Sequence, residues 1–299
     1  MEELSLVGVD GNRLAASVVG RVEQPAILLA HGGGQTRHAW DRTMRRLCAR
    51  GYRAIALDLR GHGDSDWSEN GRYQLDAFAE DLIAVAQHLG RPPAVVGASL
   101  GGLAALVAEG EKAPGTFSSL TLVDVTPRME MAGINRIVGF MTAHVQKGFG
   151  SIDEAADVIA DYLPHRQQRR NLNGLTKNLR LGPDGRYRWH WDPRFITNVQ
   201  PPEHERRFER LENAARRVDC PIHLVRGGMS DLVSEEVTKA FLELVPGARY
   251  SNVADAGHMV VGDQNDRFSD AVLGFLETLD RVKDKSQVHT QRPPRRRRP

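Results

Sequence analysis

Short apolar runs alternate with amphipathic helical stretches along most of this 299-residue chain. Leu4–Val9 and Arg13–Val19 flank the turn signal Asp10-Gly11-Asn12 and predict an opening hairpin. Ala26–Ala30, Arg53–Leu57, Ala94–Val96, Leu120–Val123, Ile222–Val225 and Ala248–Val253 bring the predicted strands to eight. Between them, Trp40–Arg50, Leu75–Leu89, Glu235–Leu244 and Phe268–Leu279 predict helices. In the second of these, Leu75, Phe78, Leu82, Val85, Ala86 and Leu89 share one face. Strands alternating with helices predict an α/β fold whose mostly parallel sheet is covered on both sides.

The alternation stops after Asp124 and resumes at Ile222. Residues 126–214 read as mostly helical, with a turn at Gly182-Pro183-Asp184-Gly185 followed by Tyr187-Arg188-Trp189-His190-Trp191. The expected organisation is a sheet domain in two parts, 1–125 and 215–282, interrupted by the segment 126–214 and followed by a tail, 283–299.

Composition sets broad limits. Hydrophobic residues at 40% and charged residues at 26% are ordinary for a soluble globular protein. No apolar run approaches the roughly 20 residues of a membrane span. The start, Met1-Glu2-Glu3-Leu4, has neither the basic nor the apolar region of a secretory signal. Cys48 and Cys220 offer neither a disulfide framework nor a metal spacing, so the expected location is the cytoplasm. From Arg281 onward eight Lys or Arg stand against one Asp; that net of +7 leaves −5 for residues 1–280 out of a total of +2. The basic tail reads as a disordered, solvated extension. The mildly acidic body carries no basic stripe, so neither nucleic acid nor membrane is an expected partner.

The chemistry begins at Gly97-Ala98-Ser99-Leu100-Gly101, a G-x-S-x-G pattern between the strand Ala94–Val96 and a Gly- and Ala-rich helix start. A serine on a sharp strand-to-helix turn exposes its hydroxyl beside the free N–H groups of the helix. Attack on a carbonyl also needs N–H donors for the oxyanion. His31-Gly32-Gly33-Gly34-Gln35 follows a strand and suits that task, since glycines let backbone N–H groups face a cavity. It lacks the spacing and the Lys-Ser/Thr ending of phosphate-binding loops. The serine further needs a base held by an acid. His258, in the loop after the last strand, is the expected base, and Asp231, after Ile222–Val225, the expected acid. Asp124 is the runner-up because it too ends a strand. His31 reads as a buttress of its glycine loop, His62 as part of a turn, and Asp255 as loop structure.

These motifs resemble the α/β-hydrolase fold superfamily over about residues 1–280. His31–Gly34 resembles its oxyanion loop. Asp58-Leu59-Arg60-Gly61-His62-Gly63-Asp64-Ser65 resembles its loop after the fourth strand, with glycines and charged groups that fix turns and pair locally. Gly97–Gly101 resembles its nucleophile elbow. The resemblance implies an eight-stranded sheet with a helical cap inserted after the sixth strand, and a Ser99–His258–Asp231 triad. It also implies an oxyanion hole from Gly33 and Leu100 with neighbouring Gly32 and Gly34. Met129, Phe140, Trp189, Trp191 and Met259 are candidate pocket residues, although Met and aromatic residues at helical spacing more commonly form a core. Met131, Met141, Phe149 and Tyr162 fall under the same rule. The arginines Arg166, Arg169, Arg170 and Arg180 suit an anionic substrate or a solvated face equally.

Serine in place of the aspartate nucleophile of epoxide hydrolases and haloalkane dehalogenases implies an acyl-enzyme. The expected substrate is therefore a small carboxylic ester, thioester or lactone, with no cofactor and no metal. Alternatives are a cofactor-free haloperoxidase or perhydrolase, a carbon–carbon hydrolase, or a hydrolase-fold binding protein without activity. The perhydrolases typically carry a bulky residue and a proline in the oxyanion loop, and the carbon–carbon hydrolases a Pro-Gly after it and a Trp after the histidine. This chain has Gln35-Thr36 and Met259 instead. Three intact triad positions argue against an inactive protein.

Overall fold

The computed structural model describes residues 1–162, 175–197, 204–258 and 265–290. One sheet holds β1 (Glu2–Val7), β2 (Arg13–Val19), β3 (Ala26–Ala30), β4 (Arg53–Leu57), β5 (Ala94–Ala98), β6 (Ser119–Val123), β9 (Ile222–Gly227) and β10 (Arg249–Val253). Their order is β1-β2-β4-β3-β5-β6-β9-β10; β1 and β2 pair antiparallel, as do β2 and β4, and the remaining neighbours are parallel. β7 (Leu179–Leu181) and β8 (Tyr187–Trp189) form a separate antiparallel pair. The expected eight-stranded, mostly parallel α/β sheet is what forms.

The inner strands are continuous apolar runs because both faces are covered. Leu28 and Ala30 of β3 join one core with Ile55 and Leu57 of β4, while Ile27, Leu29, Ala54 and Ala56 join the other. The first core packs on α2 (Leu75–His88), α3 (Leu100–Val107), α7 (His204–Arg216) and α8 (Glu235–Leu244). The second packs on α1 (Asp41–Ala49) and α9 (Asn265–Thr290), through Met44, Leu47, Phe268, Val272 and Leu276.

Between β6 and α7 lie α4 (Met131–Ala143), α5 (Ile152–Tyr162), the β7–β8 hairpin and α6 (Arg194–Thr197). The segment expected as one helical insertion over 126–214 differs in two ways. Gly182–Gly185 turns between two strands, with the Gly182 N–H bonded to Arg186 O at 2.8 Å. The stretch 204–214 belongs to α7, whose apolar face of Phe208, Leu211, Ala214 and Ala215 is buried in the main core. An amphipathic stripe of that kind finds its partner on α3, not on the inserted segment.

Three boundaries moved for local reasons. β1 ends at Val7 because the Gly8 N–H turns to Asn12 O (2.8 Å) and the Val9 N–H to Asp81 Oδ1 (3.0 Å). A tighter helical turn, Arg37–Trp40, takes the first residue expected in α1. α9 runs on to Thr290, so the expected tail from 283 begins as helix; no Gly or Pro occurs between Gly274 and Pro293 to stop it. The rest of that tail, 291–299, lies outside the described residues. Among the described residues, no helix is long and apolar enough to cross a membrane.

Candidate active site

The chain passes from β3 outward to β4 and returns on the other side of β3 as β5. Loops leaving β3 and β5 therefore diverge at the carboxyl end of the sheet, the topological switch point at which ligands bind in open α/β folds. The glycine loop 31–35 and Ser99 occupy those two loops. An ideal Cβ on Gly32 would lie 3.4 Å from Ser99 Cβ, so the two line one space.

Ser99 has φ +45°, ψ −112°, outside the regions a side chain ordinarily allows. Such a conformation costs about 1–3 kcal/mol and persists only where the surroundings enforce it. Here a Cβ on Gly97 would meet Gly102 N at 2.5 Å, and one on Gly101 would meet Ala30 O at 2.5 Å. The small residues of the motif are thus required by the close crossing of β5, α3 and β3. Leu100 opens α3, and a residue in that position has no intrahelical partner for its N–H.

The three glycines of the β3 loop are not equivalent. The Gly32 N–H donates to Gln35 Oε1 (3.0 Å) and the Gly34 N–H to His62 Nε2 (3.1 Å). The expectation that Gly32 and Gly34 share in the oxyanion hole is therefore corrected, because both donors are engaged. The Gly32 carbonyl accepts from His31 Nδ1 (2.8 Å) and from the Gln35 N–H (3.1 Å). In a trans peptide the next N–H points the opposite way, so the Gly33 N–H faces away from these partners. Gly33 and Leu100 remain the candidate donors for an oxyanion.

The acid position is corrected too. β5 and β6 run parallel with Ala98 opposite Val123, which sets Ser99 and Asp124 at corresponding strand ends. His258 Nδ1 lies 2.7 Å from Asp124 Oδ2. Asp124 is fully buried, sits at φ +48°, and also accepts from the Gly227 N–H (2.8 Å) and Ser230 Oγ (2.6 Å). A carboxylate only accepts, so His258 donates from Nδ1 and Asp124 leaves its Nε2 unengaged by this pair. Asp231, the expected acid, instead accepts from Arg136 (2.6 Å) with 39% of its side chain exposed. Its neighbourhood docks α4: a Cβ on Gly133 would meet Asp231 O at 2.4 Å, the Glu130 N–H reaches Leu232 O (3.0 Å), and Ser234 Oγ donates to Glu130 (2.6 Å). The sequence held only one sign of this, namely that Asp124 also ends a strand.

The expected pocket residues separate into groups. Met129 is buried in the main core. Phe140 stacks on half-buried Tyr162 with centroids 4.0 Å apart, and Trp189 packs edge-on at 5.1 Å against Phe149 in the inserted segment's own core. Trp191 does reach the glycine loop, its Nε1 lying 3.6 Å from the Cβ position of Gly34, with Met141 at 3.0 Å. Met259 lies outside the described residues, as do Arg166, Arg169 and Arg170. Arg180 donates to Gly63 O (2.6 Å). Phe195 was not singled out from sequence, yet its ring lies 3.2 Å from the Cβ position of Gly33, near Leu100. An aromatic in a four-residue helix of an inserted segment carries no pattern that would mark it.

The loop 58–65 pairs locally as expected, with the Asp64 N–H on Asp58 Oδ2 (2.9 Å) and Ser65 Oγ donating to Asp58 O (2.6 Å), and it is also tied to residues outside it. Buried Asp58 accepts from the Arg37 N–H (2.6 Å) and pairs with the Arg37 guanidinium, while Arg60 grips both oxygens of Asp81 on α2 at 2.7 Å each. Breaking a buried pair of this kind costs about 3–5 kcal/mol. The loop is therefore held rigid from outside.

His31, His62 and His223 are fully buried, and burial pushes them down to about 4, about 3 and about 4. The unfolded chain takes up these protons near pH 6.5 while the folded one does not, so stability is full above that pH and drains away as pH falls toward 4. For His31, moving from 6.5 to about 4 is worth about 3 kcal/mol. Urea unfolding followed between pH 7 and pH 4 is expected to show a steep loss in this window, above the range of the carboxylates; a flat profile refutes it.

A model of the alpha/beta hydrolase family matches residues 27–271. The chain is 33% identical over 263 residues to Esterase Rv0045c of Mycobacterium tuberculosis, covering 85% of this chain and 83% of that protein. A solved structure of that esterase superposes with a TM-score of 0.74 at 29% identity, covering 92% of this chain and 91% of the other. A crystal structure of E-2-(acetamidomethylene)succinate hydrolase superposes with a TM-score of 0.79 at 25% identity, covering 92% of this chain and all of the other.

Proposed function

The chain belongs to the alpha/beta hydrolase family, and from that premise we propose that it hydrolyses carboxylic esters, thioesters or lactones through an acyl-enzyme on Ser99. The observation that carries the reading is the pairing of His258 Nδ1 with buried Asp124, which leaves the other ring nitrogen free to act as base. Ser99 Oγ attacks the substrate carbonyl as its proton passes to His258 Nε2. The N–H groups of Gly33 and Leu100 receive the oxyanion. Collapse expels the alcohol or thiol with the proton from His258. Water, deprotonated by the same nitrogen, then attacks the acyl-enzyme and frees Ser99.

Asp124 holds the imidazole in one tautomer and steadies its charge during both steps. Phe195, Met141 and Trp191, packed against Gly33 and Gly34, form the apolar wall beside the oxyanion position. The similarity to a protein named as an esterase supports the ester class.

The test is a panel of p-nitrophenyl esters of graded acyl length, with fluorophosphonate labelling and peptide mapping. Turnover with the label on Ser99 is expected. No turnover and no labelling of the folded protein would return it to the inactive-binder alternative. The same preparation with peroxide, acetate and bromide scores the perhydrolase alternative.

A further inference from the structure

The loop after β4 carries a histidine, His62, that the reaction outlined above does not use. It is fully buried, and its two ring nitrogens have different partners. Nδ1 lies 3.0 Å from Arg60 O, and Nε2 accepts the Gly34 N–H at 3.1 Å. Since a carbonyl only accepts, the proton sits on Nδ1 and Nε2 is bare. Burial keeps this neutral form. The other tautomer, or a protonated ring, would set a donor against the Gly34 N–H.

We propose that His62 is a positioning residue that fixes the oxyanion-hole loop and ties it to the seating of residues 190–192; this rests on the ester-hydrolase reading. A run of three glycines has no Cβ atoms to bias its peptide planes, so its shape must come from its partners. His31 and Gln35 hold the peptide before Gly33 by its carbonyl. His62 holds the peptide after Gly33 by its N–H. The Gly33 N–H is suspended between two anchored peptides. Without the second anchor, the part-buried Gly34 N–H would lose its acceptor and the loop would turn to find another. Either response displaces the donor that must meet the oxyanion, and electrostatic stabilisation falls steeply with such misplacement.

The other side of the same residue faces the inserted segment. His62 forms an antiparallel bridge with Trp191, flanked by the Gly63 N–H on His190 O (2.7 Å) and the Asp192 N–H on Gly61 O (2.8 Å). Phe195 meets the His62 ring edge-on at 4.8 Å. Asp192 is buried and accepts from Tyr73 Oη at 2.6 Å, which anchors that stretch to the core. A single imidazole therefore lies between the oxyanion loop and the segment that walls the substrate.

Two polar substitutions in the full-length protein separate positioning from packing. His62→Asn keeps a group at the Nδ1 position for Arg60 O but leaves Gly34 without an acceptor. His62→Gln places its carbonyl oxygen near the Nε2 position. Steady-state hydrolysis of p-nitrophenyl acetate would be measured with inhibition by a trifluoromethyl ketone, whose hemiketal oxyanion occupies the same donors. His62→Asn is expected to lower kcat about 100-fold with KM within about twofold. Its inhibition constant should rise by the factor that kcat/KM falls, and His62→Gln should recover at least about tenfold. If asparagine fails to fold, His62→Phe keeps a ring against Phe78 and Phe195, removes the acceptor, and gives the same reading. Equal losses in the acceptor-lacking and glutamine variants, or inhibitor affinity unchanged while kcat falls, overturn the proposal. A folded wild type without Ser99-dependent turnover overturns the ester-hydrolase reading, and this assignment with it.

Discussion

Ser99→Ala is expected to lower ester turnover by about 10⁴-fold or more while leaving the fold intact. In the proposed mechanism the loss is large because the oxyanion donors and the His258 base act only on a nucleophile held between them. Water cannot take over that role at a comparable rate. The fold survives because alanine keeps the Cβ and the backbone at φ +45° is enforced by Gly97, Gly101 and Gly102, not by the hydroxyl. Ser99→Gly removes the Cβ and should raise the unfolding free energy by about 1–3 kcal/mol at the same cost in activity. Thermal melts and ester kinetics on the two variants check both statements. Alanine retaining more than a few per cent of wild-type turnover would remove Ser99 from the mechanism.

Asp124→Asn is expected to lower kcat about 10³- to 10⁴-fold, and Asp231→Asn by less than about threefold. Asparagine at 124 can present an amide N–H to His258, which then favours the tautomer with its proton on the wrong nitrogen. Its loss also loosens the Gly227 N–H and Ser230 Oγ contacts at the carboxyl end of β9. Asp231 and Arg136 form a pair exposed by 39% and 47%, and such a pair contributes about 1 kcal/mol or less. Its removal weakens the docking of α4 slightly and leaves the imidazole alone. Parallel kinetics on the two variants decide the acid; a larger loss at 231 than at 124 would reverse the assignment.

The contrast between those two aspartates shows where sequence reading reaches its limit. Both end strands, on neighbours β6 and β9, and both precede His258 in the chain. Read from the sequence, Asp231 stands first and Asp124 is the runner-up. What separates them is the left-handed backbone at Asp124 and the arginine that α4 brings to Asp231 from 95 residues away. The glycine loop repeats the lesson at closer range. Gly32, Gly33 and Gly34 are indistinguishable as letters, and only the partners supplied by Gln35 and His62 show which N–H is free. The β7–β8 hairpin was hidden for another reason: three-residue strands are too short to display a period.

The sequence by itself determined the α/β layout and marked Ser99 and His258 as the candidate nucleophile and base. Each of these follows from local pattern: apolar runs that must be buried, small residues where strand and helix cross, and a histidine after the last strand. The tertiary structure alone decided which carboxylate holds His258, which glycine N–H groups are already bonded, and how far the inserted segment extends. Those are outcomes of hydrogen bonds and packing between residues far apart in the chain, and no local propensity encodes them.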